Sequence, residues 1–364
     1  MKKNALLISI LLFFVLLSSC EDDKKTKDPY LTGIYVVNYG NYSGSKSTIT
    51  SYDEMADTVY QDVYQNANGV EILSNVQYAA VHNGNIYMMS NDGDKIDIVG
   101  AQTFKALVNP IGNEITKPRY IVFDNNIAYV SCWGNVLDWS KLNNSYIAKI
   151  NLETRQVEKI LALPGGPEGM AIAAGKLFIA LNYRDSIAVM NLDKEEFSYI
   201  ATPAVSSYFL KDQNENLYVS LVSTYSNPST ESGIGYINTE NNTLVSNYKL
   251  DGITSNYGSI MQFNKDESKI YIIASSWVQE GSDWVLKGAV NTFDISIKTF
   301  DAEPFLSGLT GINGITVNQK NDLVYCFIAE SAIAEGKMEI YNASAEILST
   351  QKTGLSPIMS FFTE

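Results

Sequence analysis

Along this chain, short apolar runs of strand rather than helix length alternate with polar turns rich in Gly, Asn and Asp. One unit recurs: an apolar run, a polar turn, a second run that opens on an aromatic residue, and later a Val/Ile-rich run that ends near Asn or Asp. The second runs begin at Tyr35, Tyr87, Tyr129, Phe178, Tyr218, Tyr271 and Tyr325, so their separations are 52, 42, 49, 40, 53 and 54 residues.

That spacing lies in the period range of propeller blades and kelch-like arrays rather than of helical solenoids. It predicts an all-β, seven-bladed propeller. In the second blade, Val76 to Val81 reads as the inner strand, His82 to Asn85 as the hairpin turn, Ile86 to Ser90 as the second strand and Lys95 to Val99 as the third. Third strands return at Tyr146 to Leu152, Ser186 to Leu192, Gly233 to Asn238, Ala289 to Ile295 and Lys337 to Tyr341. Fourth strands are placed around Phe104 to Val108, Val157 to Leu161, Phe197 to Ile200 and Leu244 to Leu250.

The first blade opens on a second-strand type, Ile34 to Asn38, with no inner strand before it. At the other end, Pro357 to Phe362 matches Pro118 to Phe123, the inner strand of blade three. The C-terminal segment is therefore expected to pair into blade one and close the ring, which removes two open sheet edges.

Composition agrees with a turn-rich β protein: 24 Gly and 23 Tyr with only 18% charged residues. The formal net charge is −14, and −16 once Lys2 and Lys3 are removed with a leader. This argues against nucleic acid as a partner, because phosphate binding needs clustered Lys and Arg. Cys132 and Cys326 fall in second strands of non-adjacent blades, too far apart for a disulfide, and read as small buried hydrophobes.

The N-terminus reads as an export signal: Lys2 and Lys3 precede an apolar stretch, Ala5 to Leu17, too short to span a membrane. Leu17, Ser18, Ser19 and Cys20 resemble the lipobox of bacterial lipoproteins, which implies cleavage and acylation of Cys20. Glu21, Asp22, Asp23, Lys24 and Lys25 form a charged tether, which also resembles the acidic tag that sends lipoproteins of certain Gram-negative anaerobes to the cell surface. Buried acyl chains contribute about 0.8 kcal/mol per methylene, so such an anchor holds without a spanning helix. The expected organisation is a signal over 1–19, an acylated tether over 20–31 and the propeller over 32–364.

The connections between second and third strands share one face with the starts of the inner strands. All four tryptophans, Trp133, Trp139, Trp277 and Trp284, fall in two of these connections, Trp133 to Asn144 in blade three and Trp277 to Lys287 in blade six. Tyr39, Tyr42, Tyr183 and Tyr225 add aromatic surface. Aromatic groups gathered on one face suit a planar, apolar or sugar-like ligand; alternatively each ring folds back to pin its own loop. Replacing Trp133 and Trp277 together is expected to abolish binding with little loss of stability. Gln77, Arg119, Glu168, Tyr257 and Asn313 at the inner-strand starts offer polar partners, Arg119 for an anion and Glu168 for an amide or hydroxyl, or else pair with one another.

Catalytic signatures are mostly absent. The single histidine, His82, lies in a turn on the opposite face, and no GxSxG, P-loop or CxxC occurs. Asn91 to Asp94 faintly resembles a calcium loop but lacks its downstream Glu, and reads as a β-turn. No cofactor is expected.

The strand and turn pattern, with inner-strand starts such as Pro167, Glu168, Gly169, Met170 and third strands such as Asp185 to Met190, resembles the YncE-like seven-bladed propellers. With the lipobox and acidic tag, it is similar to the cobalamin-capturing propeller lipoproteins of the BtuG type. That resemblance implies a non-enzymatic cell-surface protein that captures a corrinoid or another small nutrient for a TonB-dependent outer-membrane transporter. A surface glycan, a protein-interaction role, or a metal-dependent lactonase-like or lyase-like activity in the channel are the alternatives.

Overall fold

The computed structural model describes residues 28–363 apart from 42, 43, 45, 108, 254–258 and 332. Seven antiparallel sheets stand side by side in a ring. Their inner strands are Pro357–Phe362 for blade one, then Val76–His82, Pro118–Asp124, Pro167–Ala173, Val205–Lys211, Met261–Phe263 and Ile312–Asn318 for blades two to seven. Each contacts the next, and Pro357–Phe362 touches both Ile312–Asn318 and Val76–His82, so the ring is closed.

Closure follows the sequence expectation. Pro357–Phe362 pairs antiparallel with Ile34–Asn38, with Phe361 opposite Tyr35 and Met359 opposite Val37. The last strand thus supplies the inner strand that the first blade lacks.

The recurring aromatic at the start of each second strand has a packing reason. Tyr35, Tyr87, Tyr129, Phe178, Tyr218, Tyr271 and Tyr325 are all buried. Tyr87 meets Phe123 at 5.1 Å, Tyr218 meets Phe263 at 5.8 Å, and Tyr325 meets Phe362 at 6.3 Å between ring centroids. Each of these pairs joins a second strand to the end of the next blade's inner strand. The repeat is therefore a series of aromatic wedges between blades.

Two expectations are corrected. The expected fourth strand from Phe104 to Val108 is not found among the described residues, where blade two has three strands; Phe104 takes a positive φ of 52° that turns its ring into the core, 4.6 Å from Tyr35, and Val108 lies outside the described residues. The outer edge of Lys95–Gly100 is met instead by single bridges from Ala106 and Ile111. Nor is Trp277 to Lys287 a loop. Strands Lys269–Glu280 and Asp283–Asp294, 12 residues each, continue past the sheet as a ribbon that turns at Gly281 and Ser282. Gly281 has the positive φ, 65°, that a two-residue hairpin turn requires. A Gly-Ser pair between aromatic and β-branched runs is the signal that would have found it.

A short helix, Val63–Asn68, lies in the link from blade one to blade two and buries Val63, Tyr64 and Ala67.

Candidate functional site

Inner strands of six blades carry an irregularity at their start, where pairing with the second strand shifts register: after Val76, Pro118, Pro167, Ser206, Ile312 and, in blade one, Pro357. A bulge re-aims the residues that follow it. Here it turns Gln77, Arg119, Glu168, Ser207 and Asn313 away from the regular ladder at the mouth of the central channel.

Three of these side chains close on one another. Arg119 donates from Nε to Glu168 Oε1 and Oε2 at 3.0 and 2.9 Å, from Nη2 to Oε1 at 2.6 Å, and from Nη1 to Gln77 Oε1 at 2.8 Å. Trp133 lies with its ring 3.9 Å from the guanidinium carbon and donates Nε1–H to Glu168 Oε2 at 3.1 Å. Ser131 donates to the Glu168 carbonyl. Burial pushes the Glu168 carboxyl above its usual range, and the Arg119 charge pulls it back. Arg119 and Glu168 are buried, so their hydrogen-bonding capacity is spent inside the protein. Gly169 lets blades four and five meet: a Cβ there would lie 2.4 Å from the Ser207 carbonyl oxygen.

Below this plug the channel narrows around three tyrosines. Tyr78 stacks on Tyr120 at 3.9 Å, and Tyr208 meets Tyr120 edge-on at 6.0 Å. The space left among them, Gln77, Arg119 and Glu168 is about 20 Å³, room for a single water.

The other described aromatic candidates differ in depth. Trp133, expected on a loop surface, is only 4% exposed and acts as the floor. Trp139 and Tyr183 pack edge-on against it at 6.2 and 6.0 Å. Trp139 is 58% exposed, held out by a turn in which Ser140 N–H and Oγ–H bond Asp138 Oδ1. In blade five, Tyr225 is fully exposed beside a turn in which Asn227 N–H bonds Thr224 Oγ1. On the blade-six ribbon, Trp277 and Trp284 are 64% and 63% exposed. Tyr42, Tyr257 and Cys20 lie outside the described residues.

Other candidates resolve into structural roles. His82 stacks on Phe123 at 4.2 Å, nearly parallel, and its Nε2 is 3.0 Å from the Asn125 carbonyl. Asn91 donates its amide to the Pro118 carbonyl, and Asp94 accepts the Lys117 N–H, so this segment is a turn tied to blade three. Cys132 and Cys326 are buried and unbridged, and burial pushes the Cys132 thiol up to about 12. Among the described residues, no three His, Cys, Asp or Glu side chains converge as a metal-binding group.

Similar solved structures share the fold. A quinonprotein alcohol dehydrogenase-like protein from Bacteroides thetaiotaomicron is 18% identical, with 93% of this chain and 80% of that one covered and a TM-score of 0.68. The periplasmic gluconolactonase of Pseudomonas aeruginosa is 11% identical over 90% of this chain and 99% of its own, with a TM-score of 0.65. A functionally unknown protein from Desulfotomaculum acetoxidans is 13% identical over 89% and 98%, with a TM-score of 0.58. At such identities the likeness speaks for the fold alone. No curated protein matches the chain in sequence. Residues 32–342 match the model of a domain of unknown function, DUF5074, and the chain belongs to that family.

Proposed function

We propose that this propeller is a non-enzymatic binding protein, anchored at the cell surface through an acylated Cys20, that captures a small nutrient on the plugged face of its ring. The nutrient is one with a broad apolar face, a corrinoid ring or a sugar, and the protein passes it to an outer-membrane transporter. The observation that carries this reading is the separation of the face into two levels. On the side of blades two to four, Arg119, Glu168, Gln77 and Trp133 lock together at the channel mouth, while Trp139, Tyr225, Trp277 and Trp284 stand exposed on connections of the same face.

Exposed tryptophans are costly to solubility and are suited to stacking on a ligand face. Their mutual pairing withdraws Arg119 and Glu168 from ligand contact, so recognition in this reading rests on aromatic contact with a few polar partners. The lipobox-like sequence and acidic tether support the surface location and the hand-off to a transporter.

The test is calorimetric titration of the mature protein with cyanocobalamin and with oligosaccharides. Saturable binding of either class that weakens on Trp139→Ala or Trp277→Ala supports capture. A protein that binds neither, or that turns over a sugar lactone in a coupled assay, contradicts it.

A further inference from the structure

We propose that the blade-six ribbon is a stacking platform for a neutral oligosaccharide, an inference that rests on the capture reading above and names the ligand class for this part of the face. The ribbon's register places Trp277 opposite Leu286 and Gln279 opposite Trp284. Side chains alternate along a strand, so Trp277, Gln279, Trp284 and Leu286 share one side, with the two indoles on a cross-strand diagonal.

The same alternation says which way that side looks. Tyr271, Ile273 and Val290 lie on it lower in the sheet, and they pack with Ile312 and Ile315 of blade seven. A Cβ on Gly288 would lie 2.2 Å from Ile312 Cγ2. The tryptophan side therefore overlooks the start of blade seven's inner strand rather than open solvent beyond the rim. Blade seven's own connection places the exposed Ile333 on this face of the ring.

The platform is uncharged. Glu280 and Lys287 alternate onto the reverse side, where they pair at 3.1 Å. An anionic or cationic ligand finds no countercharge among Trp277, Gln279, Trp284 and Leu286. A sugar chain does fit: its C–H faces are apolar and stack on indole rings, its rim hydroxyls hydrogen-bond an amide such as that of Gln279, and successive rings can occupy successive indoles.

The experiment is an array of neutral oligosaccharides probed with the mature protein, followed by calorimetry on the best binder with Trp277→Ala, Trp284→Ala and, as a control, Tyr199→Ala on the outer strand of blade four. Far-UV circular dichroism confirms that each variant folds. The expected result is binding by at least one neutral oligosaccharide, weakened about tenfold or more by either tryptophan change and unaltered by the control. Absence of binding across the array, or binding that survives both tryptophan changes, overturns the inference. Cyanocobalamin binding without glycan binding overturns it while leaving capture intact; loss of both removes the capture reading as well.

Discussion

Arg119 and Glu168, 49 residues apart and on neighbouring blades, are bound through three hydrogen bonds of 2.6 to 3.0 Å, with Trp133 laid over the guanidinium. Removing one partner leaves the other charge buried and uncompensated. Arg119→Ala or Glu168→Ala is expected to cost about 3–5 kcal/mol of stability, and an Arg119→Met, Glu168→Leu double variant to recover much of it. Urea denaturation of the four proteins checks this.

The tryptophans divide by depth. Trp133→Ala opens a cavity in a buried, hydrogen-bonded position and should cost about 3–5 kcal/mol. Trp277→Ala and Trp284→Ala, on the exposed ribbon, should stay within about 0.5 kcal/mol of the parent. Thermal melts of the three variants separate these outcomes, and equal losses would contradict the division.

Ring closure rests on a close approach as well as on pairing. A Cβ on Gly314 would fall 1.8 Å from the Ile358 carbonyl oxygen, and one on Gly336 would fall 2.3 Å from Pro357 Cδ. Gly314→Ala should therefore destabilise by about 1–3 kcal/mol, as overpacking does. Deleting residues 355–364 should abolish cooperative unfolding, and a truncated protein that melts unchanged would refute the seam.

Two carboxylates give opposite responses to acid. Glu195, on the 3–4 hairpin of blade four, binds Lys149 and Lys159 of blade three, and those bonds hold its carboxyl below the usual value of 4.5. Its contribution is present above that pH and drains away as pH falls through the lower, folded-state value. Glu195→Gln should therefore flatten the acid limb of a melting-temperature profile. Glu168, raised by burial, does the reverse: the folded state holds its proton more tightly, so its contribution is lost as pH rises through the folded value. Glu168→Gln should not shift the acid limb the way Glu195→Gln does.

The fold was legible because its wedges are. Tyr35, Tyr87 and their five counterparts recur at blade spacing, each filling a gap between sheets, and Pro357 to Phe362 carries the inner-strand pattern that Ile34–Asn38 lacks. Blade two escaped the pattern because Phe104 spends its position on the core rather than on the edge of the sheet. The site was legible only in residue type. Nothing in the local sequence around Trp133 distinguishes it from Trp139, because its burial depends on Arg119 and Glu168, which reach it from two other strands. The ribbon was readable from Gly281 and Ser282, but its direction depends on the contact of Gly288 with Ile312.

Intrinsic tryptophan emission, corrected for ligand absorbance, tests the central claim most directly. Titrating the mature protein with cyanocobalamin and with the best oligosaccharide from the array, the account predicts a saturable change at micromolar ligand for at least one of them. That change should disappear in a Trp139→Ala, Trp277→Ala, Trp284→Ala triple variant that melts as the parent does. Emission that stays flat with both ligands, or a change that persists in the triple variant, would contradict it.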